Sequence, residues 1–445
     1  MRIAWRGAEL RLLLPVVLLV PLGFAITHIA LGGTFEPGPM ELAIGYVAML
    51  LGAHFLLVAF GHRGDQLLLP AVGAMGAIGI VMLNRLPQDL AGTSALGIEL
   101  GMAATQLLWF GVGLVAMVAV AIGLRDDGIL RHYKYSWAAI GILLLAATVV
   151  LGYEVNGARL WIDLGPVSVQ PGEILKIVLV VFIAGYLAET RTLLTSARLR
   201  IGPISVPPLP YFLPMLALFA VVMLIVVRLN DLGTALLFFG TFLIMLFVAT
   251  GRRSYVLIGL VLFAAGFYVA YQLFGHVQAR VDVWLDPFAD PLGAGFQPVR
   301  ALYALGRGGL FGEGLGQGLV TLGGSLTIPF VHTDFIFTAV AEELGLLGAF
   351  ALLGFAAVLV FRGLRIAALA RDDFSGLLAV GLTASLGLQT LIIIGGNTKL
   401  IPLTGITLPF VSYGGSSILA SSIMVGLLLS ISHRTAVGAD VEPEA

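Results

Sequence analysis

Residues 210–250 read PYFLPMLALFAVVMLIVVRLNDLGTALLFFGTFLIMLFVAT. Two apolar runs, 210–227 and 232–250, meet across only Arg228, Leu229, Asn230 and Asp231. Each run matches the length a helix needs to cross the hydrocarbon core of a bilayer. So tight a junction reads as a turn between two membrane-spanning helices, whose backbone bonds are satisfied internally. Working outward, similar runs fall near 12–32, 40–60, 67–84, 102–124, 135–153, 174–188, 255–273, 335–361, 376–396 and 406–431, twelve in all. The run 67–84 is short and rich in glycine. The first run is too long for a signal-peptide core and lacks a clear cleavage site, so it is expected to be a retained helix. None of the runs alternates in the manner of a β-barrel strand.

The composition agrees. Of 445 residues 59% are hydrophobic and 11% charged, with a mean hydropathy of +1.03. A soluble domain carries about 25% charged residues. An ordinary cytosolic enzyme, a disordered chain and a DNA-binding protein are therefore excluded. Lys+Arg 24 against Asp+Glu 25 gives a net charge of −1, which provides no field for a nucleic-acid partner. Cysteine is absent, so neither disulfides nor a thiolate metal site can form. The expected fold class is all-α, a polytopic membrane protein of about twelve transmembrane helices.

Cations orient the chain. With the N-terminus inside, sixteen Lys or Arg fall on inner segments, among them Arg2, Arg6, Arg125, Arg198 and Arg434. Seven fall outside: Arg85, Arg159, Arg228, Arg280, Arg300, Arg307 and Lys399. Both termini are therefore expected to be cytoplasmic. Two outer loops, 154–173 and 274–334, exceed the usual connection length, which points to function. The segment 433–445 is expected to be a short, acidic, unstructured cytoplasmic tail. The whole of 1–445 reads as one integral membrane domain.

Ionisable groups inside spans are functional candidates. Glu173 and Lys176 share a helix face at i and i+3. They read either as a neutralised structural pair or as a pair whose lysine meets an anionic substrate. Asp334 stands at the outer mouth of the tenth run and reads as an N-cap, a functional carboxylate, or both. Glu342 and Glu343 lie about 12 Å deeper at 1.5 Å per residue. Asp334, Glu342 and Glu343 cannot share one face, and the two glutamates are expected to pair with Arg or Lys on neighbouring helices. Asp231 is also a candidate cap. The glycine-rich stretch 306–318 fits neither phosphate-loop pattern. It is expected to turn tightly on the membrane face. The seven histidines show no metal-ligand spacing. The strip from Pro402 to Ser417 is broken by Gly and Pro at membrane depth, which is tolerated only against protein or a wet cavity.

Four stretches carry a resemblance. They are Gly157–Gly165 (GARLWIDLG) with Gln170–Lys176 (QPGEILK); Asp231–Ala235 (DLGTA); Gly308–Gly316 (GGLFGEGLG) with His332–Phe337 (HTDFIF) and Glu342–Gly345 (EELG); and Pro402–Gly405 (PLTG) with Leu408–Ser417 (LPFVSYGGSS). In this order and spacing, over roughly 135–432, the chain resembles the SEDS family (shape, elongation, division and sporulation), the RodA, FtsW and SpoVE type of peptidoglycan glycosyltransferase. Three features depart from the family's pattern. Gly172 stands where Ser is usual, Asn230 stands where Pro is usual, and five spans rather than three precede the Gln170 segment. Residues 1–134 thus hold two extra N-terminal spans beside a family core of ten.

The resemblance implies polymerisation of lipid II, an undecaprenyl-diphosphate-linked disaccharide peptide, at the outer face of the bacterial cytoplasmic membrane during elongation or division. The acceptor 4-hydroxyl attacks the anomeric carbon of a second unit with inversion. It implies Asp334 as the general base, with His332 and Thr333 shaping its loop. Arg159, Arg300, Arg307 and Lys399 are candidates for the departing diphosphate. Trp161 reads either as cover for a sugar or lipid or as a belt residue at the membrane interface. Gln170, Glu173, Lys176, Asp231 and Ser416 complete the candidate substrate-binding set. A divalent cation, magnesium or manganese, is chemically reasonable beside a diphosphate, but the sequence shows no dedicated site. The implied partner is a class B penicillin-binding protein. A lipid II flippase or transporter with the same spans and a non-catalytic scaffold of the cell-wall machinery are the competing readings.

Overall fold

The computed structural model describes all residues except 1–5, 33–36, 88–93, 96–97, 125, 156–157, 166, 196–199, 202–203, 206–208, 323–324 and 440–445. Arg2, Arg125, Gly157 and Arg198, named above, lie outside the described residues. Twelve helices are long and apolar enough to span a membrane. They are α1 (Gly7–Ala30), α2 (Gly38–Ala59), α3 (Leu68–Arg85), α4 (Met102–Gly123), α5 (Lys134–Leu151), α6 (Pro171–Thr195), α7 (Pro210–Arg228), α8 (Leu232–Thr250), α9 (Arg253–Leu273), α12 (Ile336–Ala368), α13 (Asp373–Asn397) and α14 (Gly415–Ala439). Between α9 and α12 lie two helices too short to cross, α10 (Gly275–Leu285) and α11 (Phe296–Gly308). A small antiparallel sheet of β1 (Tyr153–Val155), β2 (Ala158–Asp163) and β3 (Ser168–Val169) precedes α6.

The helices sort by burial. In α3, α6, α13 and α14 most residues are inside the protein, whereas those of α9 are almost all exposed or half-buried. Exposed leucines, valines and phenylalanines cover the outer helices, as a hydrocarbon solvent allows. Small residues let the central helices approach closely. A Cβ at Gly79 of α3 would lie 2.6 Å from the Val411 carbonyl oxygen, and one at Gly426 of α14 2.6 Å from that of Met117.

The start of α1, the last turns of α2 with the α2–α3 turn, and the end of α14 meet at one end of the bundle. Arg6, fully buried, pairs with Glu9 and donates to the carbonyls of His62 (3.0 Å) and Gly64 (3.1 Å). Glu9 also holds His54 at 2.7 Å. The His62 ring stacks on His433 at 4.6 Å. These contacts join the first two spans to the last. The opposite end carries Asp334.

Two sequence expectations are corrected. The last apolar run does not become helical at 406. Residues 400–414 form an irregular loop, and α14 starts at Gly415. Gly405 (φ 72°) and Phe410 (φ 64°) take left-handed backbone there, which a helix cannot hold. The segment after residue 433 is not unstructured throughout, because α14 continues to Ala439. The glycine-rich stretch turns tightly, with positive φ at Gly309, Gly312, Gly314 and Gly316. It docks on a break in α12 at Gly345 (φ 67°, ψ −166°).

There Glu342 and Glu343, both fully buried, face the loop. Their carbonyls accept from Glu313 (2.9 Å) and Gly314 (3.0 Å). The Glu343 carboxylate accepts from the Gly316 N–H (2.8 Å) and that of Glu342 from Leu319 (3.0 Å). Arg85 pairs with Glu343, and Arg307 with Glu342 at 2.5 Å. The end of α1 supports the same loop, since Gln317 donates to the Ala30 carbonyl at 2.7 Å. A Cβ at Gly345 would lie 2.3 Å from the Gly312 nitrogen. Gly345→Ala combines that clash with an unfavourable φ, so it is expected to cost more than about 1 kcal/mol. A lowered melting temperature in detergent checks this.

Candidate active site

Asp334 lies on the irregular segment before α12. Phe330 just upstream has φ 56°. The Asp334 N–H donates to the Phe330 carbonyl (2.9 Å), and its own carbonyl accepts from Asn397 Nδ2 (2.8 Å). Asn397 Oδ1 in turn accepts from the Thr338 hydroxyl (3.0 Å). One residue upstream, the Thr333 carbonyl accepts from Ser412 Oγ at 2.5 Å. The His332 carbonyl accepts from the Tyr413 N–H at 2.8 Å. The loop 400–414 therefore holds the backbone before Asp334, and the end of α13 holds it behind. The helix that follows is capped at Phe335 with no side-chain cap bond. The carboxylate of Asp334 is thus not an N-cap.

What the carboxylate faces is a cavity of about 500 Å³, within the range of small-molecule sites. Arg280 and Trp284 of α10 form one wall, Gln297, Pro298 and Leu302 of α11 a second, and Asn397, Lys399, Ile401 and Leu403 a third. A Cβ at Gly405 would come within 3.8 Å of Asp334 Oδ2, so the missing side chain keeps the carboxylate open. Arg280 is anchored by Nη1 to the carbonyls of Leu403 and Thr404, both at 3.2 Å. Lys399, in left-handed backbone (φ 60°), donates to the Leu285 carbonyl at 3.3 Å. Trp284 Nε1 donates to the Lys399 carbonyl at 3.1 Å. Helix α10 is thereby tied to the loop it covers. All four non-glycine residues with positive φ among those described, Asn230, Phe330, Lys399 and Phe410, lie at this end of the bundle. Such strain gathers where surrounding structure enforces a geometry.

Burial raises the Asp334 carboxyl to about 6, against partial opposition from the Thr333 hydrogen bond and the Arg280 charge. Arg280 also opposes Asp231, whose carboxyl burial likewise pushes up. Asp231 is the N-cap of α8 and accepts from the Thr234 N–H at 3.0 Å. Burial lowers the His332 imidazole, which packs edge-on against Tyr413 at 5.8 Å.

The other sequence candidates divide. Glu173 and Lys176 pair at 2.5 Å, and Lys176 Nζ donates to Gln389 Oε1 at 2.7 Å. Gln389 donates to the Thr407 carbonyl at 2.8 Å, and Thr407 bonds Ser417 at 2.7 Å. This buried chain links α6, α13 and the loop before α14. It does not line the cavity. Gln170 and Ser416 bond each other, backbone N–H to hydroxyl, at 3.1 Å. Arg159 and Trp161 sit on β2, where Arg159 is exposed and faces Glu154 at 3.9 Å. Arg300 is exposed and stacks on Phe296. Arg300, Arg307 and Arg159 are not among the cavity's lining residues, and Arg307 is committed to Glu342. Sequence reasoning passed over Arg280, Asn397 and Trp284. Only the position of Arg280 in the long loop 274–334 hinted at them.

The comparisons with known proteins agree with this architecture. Residues 65–437 match the FtsW/RodA/SpoVE family model, described as a cell cycle protein. The first two spans precede that match. The chain is 40% identical over 434 residues to the peptidoglycan glycosyltransferase RodA of Mycobacterium tuberculosis, covering 96% of this chain and 90% of that protein. It is 38% identical over 334 residues to the stage V sporulation protein E of Bacillus subtilis, covering 74% and 87%. Among solved structures, a chain from work on structural coordination of polymerization and crosslinking by a peptidoglycan synthase complex superposes with a TM-score of 0.66. That match has 30% identity and covers 84% of this chain and 98% of the other. The Thermus thermophilus rod shape determining protein RodA superposes with a TM-score of 0.55 at 28% identity, covering 84% and 97%. The chain belongs to the FtsW/RodA/SpoVE family of multi-pass membrane proteins.

Proposed function

We propose that this peptidoglycan glycosyltransferase polymerises lipid II in the Asp334 cavity, with that end of the bundle facing the outside and both termini in the cytoplasm. The observation that carries the reading is the sharing of one cavity by Asp334, Arg280 and Lys399. In the proposed step the acceptor 4-hydroxyl attacks the anomeric carbon of the donor. Its proton passes to the Asp334 carboxylate. The bond from the anomeric carbon to the diphosphate breaks, and the electron pair leaves with the diphosphate. Arg280 and Lys399 are placed to balance that growing charge. Apolar walls such as Trp284, Leu302 and Leu403 suit the sugar and the start of the lipid.

Glu173, Lys176, Gln389, Thr407 and Gln170 with Ser416 are assigned a positioning role, holding the loop 400–414. Arg159 and Trp161 are left as outer contacts of an extended substrate. Among the described residues no three His, Asp or Glu side chains cluster as ligands for a metal. The similar solved chain, from a peptidoglycan synthase complex that coordinates polymerization and crosslinking, supports a class B penicillin-binding protein as the working partner.

The test is synthesis from lipid II by the purified protein with a partner lacking a glycosyltransferase domain, read as glycan length on a gel. Polymer from the wild type supports the reading. Lipid translocation across liposomes without polymer would replace it with transport. Loss of one charge-stabilising donor typically costs about a hundredfold or more. Arg280→Gln is therefore expected to lower kcat/KM about a hundredfold, while Arg300→Gln, outside the cavity, changes it less than about threefold.

A further inference from the structure

One polar group in the Asp334 cavity takes no part in the steps above. Gln297, half-buried in the first turn of α11, lines the cavity beside Pro298 and Leu302. The helix that carries it is fixed on α12. Val299, Ala301 and Ala304 are buried, and a Cβ at Gly308 would lie 2.0 Å from the Ala341 carbonyl oxygen. Arg307 pairs with Glu342 at 2.5 Å, and the Tyr303 ring meets Phe288 at 6.3 Å. Pro298 follows in the first turn, where a helix N–H has no intrahelical partner to lose. Gln297 therefore stands on a rigid wall at a set place in the cavity.

The other polar side chains of the lining are committed. Asn397 uses both ends of its amide, donating to the Asp334 carbonyl and accepting from Thr338. Trp284 Nε1 donates to the Lys399 carbonyl. Arg280 and Lys399 carry charge and can only donate, and an ionised Asp334 can only accept. Gln297 differs. Its amide oxygen and its NH2 group have no hydrogen-bond partner among the described residues. Among the described lining residues it is thus the one neutral side chain with an acceptor and donors both open to a ligand. The charged groups suit the diphosphate and the reacting hydroxyl. A neutral amide suits a second neutral amide, because each offers an N–H and a carbonyl oxygen. Both sugars of a peptidoglycan disaccharide carry a 2-acetamido group of this kind.

We propose that Gln297 recognises the 2-acetamido group of one sugar bound in the cavity. The assignment rests on the reading of this cavity as the site of polymerisation. The Gln297 oxygen accepts from the acetamido N–H, and its NH2 group donates to the acetamido carbonyl. The contact is the same before and during the attack on the anomeric carbon. It therefore serves selection of the sugar, and lowers KM more than it raises kcat. A sugar bearing a hydroxyl at that carbon leaves the NH2 group without its acceptor, which is how a hydrogen-bonding site rejects an analogue.

The test uses the full-length protein with its partner and measures kcat and KM for lipid II and for two analogues. In each analogue a hydroxyl replaces the acetamido group, on the diphosphate-bearing sugar in one and on the terminal sugar in the other. Wild type is expected to discriminate about tenfold against one of the two, the net worth of one to two neutral hydrogen bonds, and that analogue names the sugar. Gln297→Leu is expected to raise KM for lipid II about tenfold and to leave kcat within about threefold. The same variant should handle lipid II and the discriminated analogue alike. Gln297→Ala gives the same pattern if the leucine disturbs α11, and the wild-type comparison stands without either variant. A wild type that treats all three substrates alike, or a Gln297→Leu variant that keeps the discrimination, would overturn the proposal. Near-normal polymer from Asp334→Asn would overturn it by a separate route, since the cavity itself would then have no part in the reaction.

Discussion

Asp334→Asn is expected to leave a folded protein that makes essentially no glycan polymer. The substitution keeps the size and the polar contacts of the side chain and removes its capacity to take a proton. Positioned general bases contribute about 10² to 10⁴ in rate, so polymer formation from lipid II falls by at least a hundredfold. The fold is spared because the surrounding architecture holds the Asp334 backbone. The Phe330 carbonyl and Asn397 fix residue 334 itself, and Ser412 and Tyr413 fix the two residues before it. No helix depends on the carboxylate for its cap. The melting temperature is expected to stay within a few degrees of wild type. Near-normal polymer from Asp334→Asn would remove the base from the account.

The largest stability effect is expected deep in α12. Glu343→Ala leaves Arg85 buried without its carboxylate partner and the Gly316 N–H without its acceptor. Breaking one side of a buried ion pair costs about 3–5 kcal/mol. The glycine-rich loop, hung on that carboxylate and on the broken helix at Gly345, is expected to detach with it. Removing the partner charge as well relieves most of the cost, since a buried pair replaced by apolar groups is often close to neutral. Glu343→Ala with Arg85→Leu should therefore melt above Glu343→Ala alone. A double variant that melts lower than the single would show that Arg85 acts independently of Glu343. Activity would fall in the single variant only in proportion to folded protein if the latch is purely structural. A loss of activity in fully folded protein would place the loop in the chemistry.

Hydropathy alone marked all twelve spans, because a bilayer imposes a length and a polarity that few other environments do. It failed where apolar sequence is not helical. Residues 406–414 are as apolar as a helix, yet Gly405 and Phe410 turn the chain back into the protein. Pairing of Glu342 and Glu343 with arginines followed from the cost of buried charge. Which arginines, Arg307 and Arg85, depended on contacts 35 and 258 positions apart in sequence. Asp334 stood out by its motif. Arg280 did not, since its position beside Asp334 is set by the way α10 folds back over the loop 400–414. The departure at Asn230 also gains a physical meaning. Its φ of 64° is one that proline, the family's usual residue there, cannot adopt. The junction before Asp231 therefore takes its own local path in this chain.

In the proposed mechanism Asp334 works as a base in a buried site, where Arg280 favours its ionised form. The most direct test is the pH dependence of kcat/KM for lipid II polymerisation, for wild type and for Arg280→Gln. The base acts only when ionised, so activity falls as pH drops through its pKa. With burial raising that carboxyl, the acid limb is expected at about pH 6, above the 3.9 of an unperturbed aspartate. Arg280 favours the ionised form, so its removal should carry the limb to higher pH, whatever it does to the maximal rate. An acid limb at an ordinary aspartate pH in the wild type, or one unmoved by Arg280→Gln, would contradict the assignment.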